Sequence, residues 1–193
     1  PEAIETSETG GGEILRADLG TRLWQGEITL GELLPDERDD VMALLDVLRR
    51  ANGTFMVHDV RRPAPRLDPT GAELVGAAPQ ILSVAANARD IRLSGLPSGY
   101  GLRRHDYIAF SYGTNPVRYA LHRIAGNIAA ATNGQTPAFE VSPAVRPGWT
   151  AGAPVTLVRA ACKAVVVPGS VDPGRRRGVM TSGVRFRFQQ TLR

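Results

Sequence analysis

The feature that most constrains the fold is a run of short strand patterns separated by turn signals between about Pro79 and Arg159. Turn residues interrupt this stretch too often for long helices, and strands at such spacing are typical of small barrels. The predicted strands are Ile81–Ala85, Asp90–Ser94, Tyr107–Tyr112, Val117–Ile124, Ala138–Val141 and Val155–Arg159. We therefore predict an OB-like β-barrel insert over residues 79–159, with a short helical turn at Ile128–Ala131.

One helix is predicted over residues 36–51, where charge, periodicity and end signals agree. Pro35 suits a first turn, and the acidic run Asp36–Asp40 complements the positive helix N-terminus better than it fits a calcium loop. The apolar stripe is predicted to consist of Val41, Leu44, Leu45 and Leu48. Asn52-Gly53 predicts a left-handed stop, and a helix this amphipathic is expected to pack on a sheet.

Further strand patterns flank the helix and close the chain. They are Ile14–Leu19, Leu23–Leu33, Thr54–His58, Cys162–Val167 and a last strand in which Val184, Phe186 and Phe188 alternate with Arg185, Arg187 and Gln189. A Pro-rich connector over residues 61–71 and a loop at Pro168–Arg177 separate them.

These patterns predict a mainly β chain in which one domain interrupts another. Residues 1–12 are expected to form an N-terminal arm without structure of its own. A β-sandwich or barrel with one packed α-helix is assigned to residues 13–78 plus 160–193, and the OB-like insert to residues 79–159. The 21 glycines and 14 prolines fit a fold with many turns.

The net charge of +4 conceals a strong asymmetry. Residues 1–48 carry twelve acids and three arginines, a net of −9, whereas residues 49–193 carry twenty basic and seven acidic residues, a net of +13. Such a division favours contacts between copies, in which an acidic surface meets a basic one. No apolar run approaches the ~20 residues that span a bilayer, so membrane insertion is not expected, and the acidic start does not resemble a signal peptide.

Signatures of catalysis, cofactor binding and metal binding are missing from the sequence. His58, His105 and His122 have no partner at metal-ligand spacing, and the pairs His58-Asp59 and His105-Asp106 point to opposite faces if they lie on strands. The lone Cys162 is predicted to be a small buried residue rather than a nucleophile. We therefore predict no catalytic, cofactor-binding or metal site, and no enzyme activity.

Two groups of residues invite a binding interpretation. Arg175-Arg176-Arg177, with Arg185 and Arg187, forms a basic group suited to nucleic acid or to an acidic protein surface. Phe186 and Phe188 lie on the strand face opposite Arg185 and Arg187, whereas base stacking needs aromatic and basic residues together. The aromatic residues of the insert, which suit sugar binding or barrel packing, are Tyr100, Tyr107, Tyr112, Tyr119 and Trp149. Packing is the interpretation we favour.

The order of these elements resembles the distal tail protein family of siphophages and related gene-transfer particles. The resemblance covers about residues 13–193. It rests on Leu23-Trp24, Leu44–Leu48, Gly53-Thr54-Phe55, Asp59 with Arg61-Arg62-Pro63, Ile91–Pro97, Asp106-Tyr107-Ile108, Val117–His122, Glu140–Pro143, Val166–Ser170 and Phe186–Leu192. One departure is His105, which stands where a turn glycine is expected.

The resemblance implies a structural virion protein with a galectin-like or tail-tube-like β domain. Six copies would form a ring at the distal end of a long non-contractile tail, assembled in the bacterial host cytoplasm, with the OB-like insert on the outside. The expected partners are the tail tube protein and the hub or tip proteins, with the tape-measure protein as a further neighbour; no specific nucleic acid is expected. The alternatives are an OB-type nucleic-acid-binding module, or another minor tail protein that binds host-surface carbohydrate.

Overall fold

The computed structural model describes residues 4–18, 20 and 22–193, and it shows a mainly β protein as predicted. Its helix α1 spans Pro35–Leu48, and a 3-10 turn spans Ala72–Leu74. The strands are β1 (Ile4–Glu8), β2 (Ile14–Asp18), β3 (Gln25–Thr29), β4 (Phe55–Val57), β5 (Gln80–Val84), β6 (Asp90–Ser94), β7 (Gly101–Leu102), β8 (Tyr107–Tyr112), β9 (Arg118–Ile124), β10 (Ile128–Ala129), β11 (Phe139–Ser142), β12 (Val155–Thr156), β13 (Cys162–Val166), β14 (Asp172–Arg177) and β15 (Met180–Gln190).

The chain forms two compact units, which we call the barrel unit and the sheet–helix unit. The barrel unit contains His58–Cys162, together with the described residues before Leu23 and Arg193. The sheet–helix unit contains Leu23–Val57 and Lys163–Leu192. The segment between the insert and β4, which we assigned to the interrupted domain, therefore groups with the barrel.

The N-terminal arm differs from the prediction, because residues 4–8 form a strand. β1 pairs antiparallel with β2, from Ile4 opposite Asp18 to Glu8 opposite Ile14. The turn is closed by Thr9, whose hydroxyl bonds the Glu13 carbonyl at 3.1 Å. We expected no structure here because the acidic segment carries no apolar alternation, but hairpin pairing satisfies the backbone without any buried face. Residues 1–3 of the predicted arm lie outside the described residues.

The barrel unit is built on a nearly closed six-stranded antiparallel sheet. Its strand order is β12-β8-β9-β11-β6-β5. The first and last strands meet through backbone bonds, since the Ile81 N–H donates to the Ala153 carbonyl at 3.0 Å and the Val155 N–H donates to Pro79 at 2.8 Å. Alternate side chains point inward. The fully buried ones include Ile81, Ile91, Leu93, Ile108, Ile124 and Val141.

The short helical turn predicted at Ile128–Ala131 is wrong. Ile128–Ala129 is strand β10, which pairs with β7 through Ile128 opposite Leu102. Local apolar spacing over four residues does not distinguish a strand from a helical turn, and cross-strand pairing decides here.

Buried carboxylates fasten the Pro-rich segment to the barrel. Asp106, 2% exposed, accepts hydrogen bonds from the backbone N–H groups of Arg66 at 3.1 Å and Arg103 at 2.7 Å. Asp68, 4% exposed, accepts from the Glu73 N–H at 3.2 Å and the Tyr100 hydroxyl at 3.4 Å. Prolines leave this segment without regular structure, so side-chain carboxylates pair the backbone donors that a strand would otherwise pair.

The sheet–helix unit places α1 on one face of a sheet centred on β15. The sheet order is β14-β15-β13-β4, and β3 pairs with β15 from Arg185 opposite Thr29 to Gln189 opposite Gln25. Val184 and Phe186 are buried while Arg185 and Arg187 are exposed, which confirms the predicted two-faced strand. The core beneath α1 contains Leu45, Val166 and Phe186, with Ile28, Val41, Met42, Leu48 and Phe55 packed around it.

Two details of the helix differ from the prediction. Leu44 is 58% exposed, and the buried stripe runs through Val41, Met42, Leu45 and Leu48 instead. The helix ends at Leu48, and Gly53 does not have a positive φ. A Cβ at Gly53 would lie 2.2 Å from the Leu48 carbonyl oxygen, so the glycine permits a close backbone approach rather than a left-handed stop.

Candidate functional site

His105 and His122, two of the three histidines, differ in their exposure. His105 lies exposed in the turn before β8 with φ of 71°, in the left-handed region that the expected glycine would adopt readily. His122 is buried on β9. Within the described residues, no three His, Cys, Asp or Glu side chains are close enough to hold a metal ion.

His122 is held as a neutral imidazole inside the barrel. Its Nδ1–H donates to the Pro143 carbonyl at 2.7 Å, its ring stacks on Phe110 at 5.4 Å, and Nε2 has no hydrogen-bond partner among the described residues. Burial, helped by the charge of Arg146, outweighs the Pro143 bond and lowers the pKa of His122 to about 4. A neutral base held this way stabilises the barrel but does not reach solvent.

Asp59, which follows His58 in the sequence, is also hydrogen-bonded within the fold. The Tyr107 hydroxyl donates to Asp59 at 3.3 Å and accepts from the Arg123 guanidinium at 2.8 Å. Burial raises the pKa of Asp59, but hydrogen bonds from the backbone and guanidinium of Arg61, and from Tyr107, outweigh it and leave the pKa below its usual value. This chain of bonds fastens the start of the Pro-rich segment to β8 and β9.

Cys162 is a core residue, as predicted. It is 0% exposed at the start of β13, and burial raises the pKa of its thiol to about 12. A nucleophilic cysteine needs a thiolate and access to solvent. The structure therefore assigns Cys162 to packing.

The aromatic residues of the insert pack the barrel rather than forming an exposed platform. Tyr100, Tyr107 and Tyr112 are each less than a tenth exposed, and Trp149 lies partly buried against the barrel core. Tyr119 is also partly buried. Burial and the carboxylate of Asp68 raise the pKa of Tyr100.

The three consecutive arginines lie in a β-hairpin, not in the loop that we predicted at Pro168–Arg177. β14 pairs with β15 from Asp172 opposite Arg185 to Arg177 opposite Met180. The turn is Gly178-Val179, with φ of 61° at Gly178, which fits a two-residue turn of type II′. The prediction failed because Pro173 and Gly174 are loop signals in isolation, whereas an edge strand tolerates both.

At two facing glycines, the side chains of the hairpin exchange the faces of the sheet to which they point. Gly174 and Gly183 fall opposite each other, between the pairs Pro173–Val184 and Arg175–Ser182, and both have positive φ. Simple alternation from Arg185 would put Thr181 on the exposed face, yet Thr181 is 7% exposed and lies beside Pro35 at the start of α1. The exchange of faces brings Arg175 and Arg177 to the side that carries Arg185.

The result is a shallow cleft of about 350 Å³ on the sheet face that points away from α1. We call it the arginine cleft; it is lined by Arg175, Arg177, Arg185, Asp172, Thr29, Ser182 and the backbone of Gly174 and Gly183. Asp172 pairs with Arg185 at 3.3 Å, so three arginines and one carboxylate leave a net charge of +2. The remaining arginine, Arg176, lines a separate depression on the α1 side.

Among the described residues, none of those lining the arginine cleft is aromatic. Phe186 and Phe188 project to the α1 side, where Phe55 contacts their ring edges at centroid distances of 6.2 and 6.4 Å. Arginine guanidinium groups without stacking partners suit carboxylate or phosphate oxygens rather than bases.

The outward face of α1 carries the opposite charge. The helix holds five acids and one arginine, a net of −4. At about 100° per residue, Asp36, Asp40 and Val47 fall on the side opposite the buried stripe. Leu44 lies at the edge of this outward side. The sheet–helix unit is thus acidic on its helix side and basic on its other side.

The face exchange at Gly174 and Gly183 is what reasoning from the sequence missed. A usable signal was present, because glycine inside a strand pattern indicates a bulge or a change of direction. We assigned Gly174 to a loop, and the pairing of the two glycines became visible only with the register.

Comparison of the chain with protein-family models gives no matching family, and comparison with curated proteins gives no matching relative. No helix in the described part of the chain is long and apolar enough to cross a membrane.

Proposed function

We propose that this chain is a structural protein that assembles into a closed ring at the distal end of a long non-contractile phage tail, where it joins the tail tube to the tip. The observation that carries the proposal is the division of charge across the sheet–helix unit. Its arginine cleft and the acidic side of α1 lie on opposite sides of one sheet.

Opposite charges on opposite sides of one unit favour head-to-tail association. The two sides cannot meet within one copy, but each can meet its complement on a neighbour. Contacts of this heterologous kind generate rings when the rotation closes. The resemblance to distal tail proteins supplies the expected number of six copies, the place in the virion and the neighbours, namely the tube, hub and tape-measure proteins.

The polar groups inside the barrel fit a structural role. The carboxylates of Asp59, Asp68 and Asp106 bond backbone or side-chain donors that hold the Pro-rich segment. His122 is buried and neutral, and Cys162 is packed. These side chains are therefore bonded or packed within the fold, which supports a structural role.

Electron microscopy tests the proposal. Negatively stained particles from the source phage, labelled with an antibody to this chain, should carry the label at the tail end far from the capsid. The purified chain should give ring-shaped images of uniform diameter at low ionic strength. Label on the capsid or along the whole tail, or purified protein that shows only monomers, would overturn the proposal.

The arginine cleft also favours one competing function, binding of nucleic acid. This alternative predicts micromolar or tighter affinity for single-stranded DNA that falls steeply with salt and is lost in the Arg175→Ala/Arg177→Ala variant. The ring proposal predicts weak binding that the substitution hardly changes, because no aromatic platform accompanies the arginines. Fluorescence anisotropy with a labelled oligonucleotide separates the two.

A further inference from the structure

We infer that the arginine cleft is the docking surface for the outward face of α1 from a second copy of this chain. The inference rests on the proposed ring and names the two surfaces that meet in it. It commits to one occupant, a helix bearing carboxylates in series.

The cleft is suited to carboxylates by its chemistry and shape. The guanidinium groups of Arg175 and Arg177 are exposed and form no ion pair within the described part of the chain, while Arg185 is bonded on one side by Asp172 and remains 54% exposed. Arginine presents paired donors that match both oxygens of a carboxylate. The face exchange at the glycine pair concentrates this charge on one side of the hairpin.

The outward face of α1 has the complementary pattern. Asp36 and Asp40 are exposed and form no ion pair in the described chain, and four residues along a helix separate them by about 6 Å. Along the same side follow Leu44, 58% exposed, and Val47, 47% exposed. These two exposed apolar side chains lie beside the acidic pair and add apolar surface that a neighbouring copy would cover.

The sheet itself determines that the occupant is another copy. α1 packs against Phe186, whereas Arg185 and Arg187 lie on the reverse side of the same strand, so a chain cannot bring its own helix to its own cleft. Each copy offers one acidic helix and one cleft, which is the arrangement that a closed head-to-tail ring needs.

Charge reversal on either surface tests the contact in the full-length chain. Arg175→Glu/Arg177→Glu and Asp36→Arg/Asp40→Arg should each weaken assembly roughly tenfold or more, as measured by sedimentation velocity across a concentration series. An equimolar mixture of the two variants should recover assembly, because each reversed cleft then meets a reversed helix. The two variants would then alternate around the ring, which an even number of copies allows. Circular dichroism confirms that each variant is folded.

A matched control for the cleft reversal replaces two exposed arginines of the barrel unit, Arg62→Glu/Arg89→Glu, which changes the net charge by the same amount and should leave assembly intact. If the wild type forms rings and each reversed variant, measured alone, assembles as well as the wild type, the proposed helix–cleft contact is refuted and the ring proposal stands. Failure of the mixture to assemble, when each variant alone has lost assembly, also refutes the contact. A wild type that never assembles overturns the ring and the contact together.

Discussion

Acidification should destabilise the barrel through His122, the histidine buried between Phe110 and the Pro143 carbonyl. The pKa of His122 is about 4 in the fold and 6.5 when unperturbed. The folded chain favours the neutral imidazole, so the unfolded chain takes up a proton at a higher pH than the folded chain does. This contribution is therefore fully present above pH 6.5 and is lost as the pH falls toward 4.

The size of the effect follows from the two pKa values. At about 1.4 kcal/mol per pKa unit, lowering the pH from 7 to 4 removes roughly 3 kcal/mol of unfolding free energy from this group. His122→Phe abolishes the titration. It should cost about 1–3 kcal/mol at pH 7, because the Pro143 carbonyl loses its donor.

Urea unfolding at several pH values measures this difference. A Trp24→Phe background leaves Trp149, which packs against the barrel core, as the sole tryptophan reporter. The unfolding free energy of the His122→Phe variant should fall less steeply between pH 7 and 4, by roughly 3 kcal/mol. His105→Asn, which replaces an exposed histidine, is the matched control. Parallel curves for wild type and the His122→Phe variant would refute the reasoning.

Three further predictions concern stability and reactivity. His105→Gly should raise the unfolding free energy in urea by up to about 1 kcal/mol, since His105 has φ of 71°, whereas an unchanged or lower value would argue against strain there. Gly174→Ala should cost more than about 2 kcal/mol, because its Cβ would lie 2.6 Å from the Ser182 carbonyl oxygen, while Gly178→Ala, with open space around it, should cost about 1 kcal/mol; equal losses would contradict the close approach. Cys162 should react with a thiol reagent only at the rate of unfolding, and rapid labelling of the folded chain would show that it is not buried.

Much of the architecture could be predicted because local signals agree with tertiary packing. The alternation in β15 and the turn signals of the insert put the right residues inside, and Asp90–Ser94 and Tyr107–Tyr112 match the structure at both ends. The position of α1 followed from Pro35 and the acidic first turn. Its buried face was predicted wrongly at one position, because Leu44 fits the apolar period as well as Met42, and only contact with the sheet decides between them.

The candidate site was harder to predict because it depends on register. Arg175–Arg177 were recognisable as basic residues, but simple alternation would put Arg176, rather than Arg175 and Arg177, on the face that carries Arg185. The orientation that Arg175 and Arg177 share with Arg185 arises from two glycines nine residues apart in sequence, at 174 and 183, that meet across a hairpin. Neither glycine reveals this alone. The buried carboxylates that hold the Pro-rich segment were missed for a related reason. Asp106 accepts a hydrogen bond from the backbone of Arg66, forty residues away in the sequence.

Native mass spectrometry of the full-length chain tests the central claim most directly. At micromolar concentration and low ionic strength, a ring-forming subunit should give one dominant oligomer whose mass is a fixed multiple of 20.7 kDa, with six copies expected. That oligomer should decline as the ionic strength rises, because opposite charges hold its copies together. A spectrum of monomer alone under the low-salt conditions would contradict the account.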